Sequence, residues 1–207
     1  MTIFGALRTV IFAAALIPAV ALVYGALTDN LTANPIDYIT DTTGLTAPTF
    51  LVISLTVTPL RRLTIFRALS AAPGSGPLTI TSSMTLSHAQ WIVSQWDGAE
   101  TSGVNGAGAI AQTGSTNGDA VSDLTIPLAA FGNANNVAYG AFGVRSQVLA
   151  VTPGAGFTEI SEQPSGESTP GDLQAQWATN LNTIVASWAN LNAGALGVEI
   201  RARSTGP

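Results

Sequence analysis

The side chains that carry most protein chemistry are scarce here. Among 207 residues there is one histidine, His88, two methionines, Met1 and Met84, and no cysteine. Lack of cysteine removes disulfides, thiolate metal sites, iron–sulfur ligation and cysteine nucleophiles, so redox chemistry would need a bound cofactor. His88 beside Ser87 is not a triad signature, because only three-dimensional geometry makes one, and a strand-end histidine is the plainer reading. Asp97, Glu100, Asp119 and Asp123 flank a glycine-rich stretch and could offer oxygens to calcium, but without EF-hand spacing they read as solvated loop charges. Gly103, Gly106 and Gly108 lack the strand-to-helix setting and the lysine of a phosphate cradle. The better binding candidates are aromatic. Trp91 and Trp96 have opposite parity in one predicted strand and so face opposite sides of a sheet. An exposed indole beside Gln95 and Asp97 suits stacking on a sugar ring or a partner surface. Trp91, Trp96 and Asp97 are therefore the candidate ligand-binding residues, and no catalytic or metal-ligating residue is assigned.

The elements that would position them change character near residue 70. The chain is 46% hydrophobic and only 9% charged, against roughly 25% charged in an average soluble domain. Residues 9–28 and 42–60 contain no charged side chain, and each is close to the ~20 residues a helix needs to cross a bilayer. Arg8 precedes the first stretch, Arg61 and Arg62 follow the second, and the loop between holds only acids. The positive-inside rule then predicts a transmembrane α-helical hairpin over residues 1–69 in a bacterial inner membrane, with the lipid bilayer as partner. An alternative takes residues 1–21 as a secretory signal ending at Ala19-Val20-Ala21, which would export the rest.

After a Pro/Gly/Ser linker at 70–77, residues 78–207 switch to period two. Leu173, Ala175 and Trp177 alternate with glutamines, Ile184, Ala186 and Trp188 form a second run, and Leu196, Val198 and Ile200 a third. Further strands are predicted at 78–86, 90–96, 121–129, 137–144 and 157–162, separated by turn pairs such as Asp97-Gly98, Asn117-Gly118 and Pro170-Gly171. The pattern fits an all-β antiparallel sandwich, jelly-roll-like, large enough to bury its own core. Its acidic, lysine-free surface argues against nucleic acid as a partner.

Residues 16–64, LIPAVALVYGALTDNLTANPIDYITDTTGLTAPTFLVISLTVTPLRRLT, carry a more specific pattern. Asn34-Pro35, Ile39-Thr40, Thr43-Gly44 and Thr58-Pro59-Leu60-Arg61-Arg62 together resemble the amino-terminal region of the MsrQ (YedZ) family. These are haem-binding membrane subunits of the periplasmic methionine sulfoxide reductase system, related to ferric-reductase-like transmembrane proteins. The resemblance implies electron transfer through haem b supplied by quinone or flavin, and a periplasmic reductase subunit as partner. Asn34, Pro35, Gly44, Pro59, Arg61 and Arg62 would be structural positions in it, as turns and anchors. The family's ligand helices are missing, however, and one histidine cannot supply an axial pair. Neither haem nor flavin is therefore expected unless the family function were retained. Within residues 78–207, WIVSQWDGAETSG, VTPGAGFTEI and the terminal GALGVEIRA resemble, less sharply, β-sandwich modules of bacterial secreted and phage-associated proteins, which implies an extracellular or virion setting; a glycan or protein ligand of this domain rests on its tryptophans.

The reading that follows is a chimera of a truncated MsrQ-like membrane anchor and a β-sandwich with a binding or structural role, without catalysis. Its alternatives are an MsrQ-like electron-transfer subunit, and an exported glycan-binding, adhesion or virion structural module.

Overall fold

A computed structural model describes residues 21–29, 36–41, 53–57, 61–70, 78–82, 89–145, 147–165 and 170–204. Twelve antiparallel strands and one 3-10 turn account for most of them. They are β1 (Ala21–Asp29), β2 (Ile36–Asp41), β3 (Ile53–Val57), β4 (Arg61–Ser70), β5 (Leu78–Ser82), β6 (Ala89–Trp96), the turn Val104–Ala109, β7 (Ile110–Pro127), β8 (Val137–Arg145), β9 (Thr152–Pro153), β10 (Thr158–Ser165), β11 (Gly171–Thr179) and β12 (Thr183–Ile200). One sheet runs β3-β4-β1-β6, a second runs β10-β11-β8-β12-β7 with β9 added beside β12, and β2 pairs with β5.

This corrects the expected fold class. Where a transmembrane helical hairpin was predicted, the described parts of both apolar stretches are strands, β1 and β3. Among the described residues no helix is long and apolar enough to cross a membrane. The lipid-bilayer partner, the inner-membrane placement and the ferric-reductase-like membrane class lose the spans they rested on. The physical reason is legible in hindsight. Ile53-Ser54-Leu55-Thr56-Val57 alternates apolar with polar, the period of a strand rather than a helix. The continuous apolar run of β1 suits a central strand, and β1 is paired along its length with β4 on one side and β6 on the other. Arg61 and Arg62, expected to anchor a span, open β4 opposite Val57 and Thr56 of β3.

The two large sheets share a core. Leu63 and Ile65 from β4 and Ile92 from β6 pack with Tyr139, Leu173, Leu196, Val198 and Ile200 of the second sheet. The other face of that second sheet is covered by its own chain. β7 and β12 are each 18 residues long. Their pairing shifts register between Ser187 and Ala193, which bends the far half of this two-stranded ribbon back over the sheet. Ile126, Ile184 and Trp188 thereby join Phe142, Val144 and Ala195 in a second core. A row of glycines admits them. Gly114, Gly197 and Gly140 are cross-strand neighbours on β7, β12 and β8. A Cβ at Gly140 would lie 2.5 Å from Ile184 Cγ2, and one at Gly114 2.6 Å from Ile126 Cγ2.

Several predicted strands lie close to their sequence positions, but two boundaries moved. The runs ending at Trp188 and at Ile200 belong to one bent strand, β12. The segment from Ile110 to Gly118, outside every predicted strand, is the first half of β7. Asn117-Gly118, expected to turn, sits inside that strand, and the bend comes at Ala120, whose φ is 53°.

Candidate functional site

β6 ends at Trp96, where the chain leaves the first sheet and crosses toward the end of β12. The crossing is fixed by main-chain bonds: Glu100 N donates to Arg201 O at 2.9 Å and Arg203 N to Gly98 O at 2.7 Å, flanking an Ala99–Ala202 bridge. Gly98 has a φ of 75°, the left-handed conformation that glycine adopts without Cβ strain. The Glu100 carboxylate accepts the N–H groups of Ser102 and Thr101, and these bonds hold its pKa below the ordinary carboxylate range.

Trp96 is half-buried and held edge-on by two other aromatic rings. Its indole meets Trp177 with centroids 5.6 Å apart at 80° and Tyr139 at 6.3 Å and 86°, the T-shaped geometry that places ring edges on ring faces. Its Nε1–H donates to Ser94 Oγ at 3.0 Å. Burial raises the pKa of the Tyr139 phenol far above its ordinary value, against a smaller opposing effect of its bond with Ser94. Tyr139 thus stays neutral and serves as packing.

Beside Trp96 lies a recess of about 60 Å³ with Val137, Ile200 and Ala99 on its floor and Asp97, Asn135 and Arg201 among its lining. Such a volume holds a few waters or the tip of one side chain. It is well short of the roughly 300 Å³ at which small-molecule pockets begin. Arg201 is engaged elsewhere, donating from Nη1 to Gly108 O at 3.2 Å. Asp97 is exposed.

Trp91 sits on the opposite face of β6 from Trp96 and is also half-buried. Asp119 and Asp123 are exposed on β7, and among the described residues no three acidic or histidine side chains are grouped to hold a metal. His88 and Ser87 lie outside the described residues, as do Asn34, Pro35, Gly44 and Pro59. Both methionines do too, so the chain's histidine and methionine donors all lie outside the described residues. With a single histidine in the whole chain, the donor set does not fit two-histidine ligation within one molecule.

Sequence reasoning missed the polar groups buried on the face that the folded-back ends of β7 and β12 cover. Asp172, Gln174 and Gln176 alternate along β11, all at 1% exposure or less. Gln176 Nε2 donates to Val185 O at 2.8 Å. Asp172 Oδ1 and Gln174 Oε1 have no partner among the described residues. Burial, then the neighbouring charge of Glu162, push the Asp172 carboxyl up to about 7, while a hydrogen bond from the Leu173 backbone opposes them. Glu162 is likewise raised by burial, and it accepts Val151 N–H at 2.6 Å. Across the sheet, Glu199 accepts Gln112 Nε2 at 2.6 Å and a bond from Asn136 Nδ2. The signal was period two itself: alternation was read as a buried and a solvated face, but this sheet is covered on both.

The described residues therefore define an all-β module with two cores and a small apolar recess at one sheet end. A stretch of 57 residues is 47% identical to the haem-binding subunit MsrQ of protein-methionine-sulfoxide reductase from Herminiimonas arsenicoxydans, covering 28% of this chain and 26% of that protein. Against MsrQ of Ralstonia nicotianae the figures are 42% over 59 residues, 28% and 27%. The chain thus spans about a quarter of the length of these relatives. No family model and no solved structure matches it, and nothing supports the expected likeness of residues 78–207 to phage-associated modules.

Proposed function

We propose that this chain acts as a non-catalytic β module in binding or structure, with the end of β6 as its contact point. The observation that carries this is the recess beside Trp96. It has an apolar floor, an exposed Asp97 at its mouth, and a size that takes the apolar tip of a partner protein's side chain rather than a sugar ring. Three carboxylates are tied into the fold: Glu100 caps a turn, Glu199 accepts bonds from Gln112 and Asn136, and Glu162 anchors Val151. No cofactor is required, and an exported or surface setting is the placement we propose.

The test is to follow the Trp96 indole N–H by nuclear magnetic resonance while adding N-acetyl-leucinamide, glucose or N-acetylglucosamine. The amide should shift the signal saturably and the sugars should not. A response to the sugars alone returns the site to glycan binding, and silence to all three removes the recess as a contact point.

The local identity to MsrQ favours a second reading, an electron-transfer role through haem. Titrating the purified chain with haem b decides it: a stoichiometric complex with a shifted Soret band supports that role, and unchanged free-haem absorbance eliminates it.

A further inference from the structure

The buried polar line on β11 has a direction. The Val185 carbonyl can only accept, so Gln176 turns its Nε2 to it, and the Gln176 Oε1 accepts Gln174 Nε2 at 3.3 Å. Gln174 Oε1 is left as a buried acceptor with no donor among the described residues. Asp172 lies two positions along on the same face of the strand, and its Oδ1 is in the same state. Two neighbouring buried acceptors are costly, and one proton on Asp172 turns one of them into a donor for the other. Among the described residues no cation faces the pair. Arg145 stands opposite Gly171, and Arg67 shares the parity of Leu63 and Ile65 on β4, so both belong to the layer between the two large sheets. Residues 147–151, β6 and the start of β12 are uncharged, and β10 brings only the acids Glu159 and Glu162.

β10 is the neighbour that can yield. Among the described strands it pairs only with β11, and that ladder is bulged between Glu159 and Ser161. Opposite Asp172 it places Pro164, which has no N–H to give, and opposite Gln174 it places Glu162. We propose that Asp172 is held as a neutral acid whose proton bridges to Gln174 Oε1, and that loss of this proton to water releases β10 from β11. Release uncovers the edge of β11 and frees the Val151 segment that Glu162 holds. Burial and then the charge of Glu162, which together push the Asp172 carboxyl up to about 7, act in the same direction. Once β10 lifts, the carboxyl meets water and ionises near its ordinary 3.8. Between those two values opening sheds a proton and grows by up to about tenfold per pH unit, and above 7 it levels off, since both states are then ionised. This device is separate from the Trp96 recess, and neither proposal depends on the other.

Hydrogen exchange on the full chain across pH 4 to 8, corrected for intrinsic rates, tests it. Amides of β10 should exchange faster than those of β8 and β12, and should lose protection as pH rises to 7 and then hold steady. Asp172→Asn, whose amide donates to Gln174 Oε1 as the acid does, should keep β10 protected with little dependence on pH. Protection of β10 that is independent of pH in the wild type, or equal to that of β12 at every pH, overturns the release. The carboxyl carbon resonance of Asp172 in the wild type gives a reading that needs no variant to fold. Its titration should centre near 7, and a midpoint near 4 overturns the neutral acid.

Discussion

The two faces of the β10-β11-β8-β12-β7 sheet are both buried, but by different means. One face meets the first sheet through ordinary apolar packing, with Leu63, Ile65 and Ile92 against Leu173, Leu196 and Val198. The other is covered by the folded-back ends of the sheet's own β7 and β12, and its fit depends on a glycine row, a register shift and a line of buried polar side chains. The difference teaches where the fold is tolerant. Apolar packing between sheets accepts volume-conserving exchange at a cost usually below about 1.5 kcal/mol, whereas a glycine under a rigid methyl does not accept even one added carbon.

The largest effect should come from breaking that glycine fit. Gly140→Ala places a Cβ 2.5 Å from Ile184 Cγ2, a branch fixed close to its own backbone, and should destabilise by about 1–3 kcal/mol in chemical denaturation. Gly197→Ala instead meets Ile184 Cδ1 at 2.6 Å, the far end of the side chain. Ile184→Val removes Cδ1 and keeps Cγ2, so in a double-mutant cycle it should rescue Gly197→Ala in part and Gly140→Ala not at all. Equal rescue of both, or of neither, would mean that the start of β12 does not lie on the sheet as described.

The sequence announced the strands of this region more clearly than their use. Period two at Leu173–Trp177 and Leu196–Ile200 identified β11 and the end of β12, because alternation is a local property of the backbone. That β12 bends to reach both cores was not legible, since the bend lies in a register shift set by pairing with β7. The apolar stretches before residue 70 misled for a related reason. An uncharged run meets the length criterion for a membrane helix and the composition of a buried central strand equally well, and only pairing with β4 and β6 separates the two for β1. Of the candidate site, the opposite facing of Trp91 and Trp96 followed from parity. The recess did not, because Val137, Ile200 and Arg201 reach it from distant parts of the chain.

A second, smaller contrast between the faces is electrostatic. The pKa of Asp172 lies near 7 in the fold against an ordinary value of 3.8. A carboxyl raised in this way favours the folded state only while protonated. Its contribution is therefore greatest below about pH 4, declines as pH rises toward 7, and is constant above that. Asp172→Asn keeps an acceptor for Leu173 N–H without the charge. It should leave stability near pH 4 unchanged and raise it at pH 8 by roughly 1–3 kcal/mol. Parallel urea titrations at the two pH values check this, and a variant weaker than wild type at pH 8 would place a stabilising cation beside Asp172.

The smallest effect sharpens the comparison at the bend itself. β7 leaves the sheet for its folded-back half at Ala120, a non-glycine residue with a φ of 53°, where a Cβ crowds the following carbonyl. The conformation is held because Ala120 N–H donates to Asn192 Oδ1 at 2.9 Å, from the register-shifted stretch of β12 directly alongside. Glycine occupies this region without the steric penalty but loses more chain entropy on folding, so the two terms oppose each other. With about 1–2 kcal/mol of left-handed strain against roughly 0.5–1 kcal/mol of entropy, Ala120→Gly should stabilise by about 0.5 kcal/mol. Asn192→Ala, which removes the acceptor, should instead destabilise by about 1 kcal/mol and reduce the benefit of the glycine when the two are combined. If the two substitutions prove strictly additive, the Asn192 bond is not what holds Ala120 in its left-handed conformation, and the bend is set by the packing of Ile126 and Ile184 beyond it.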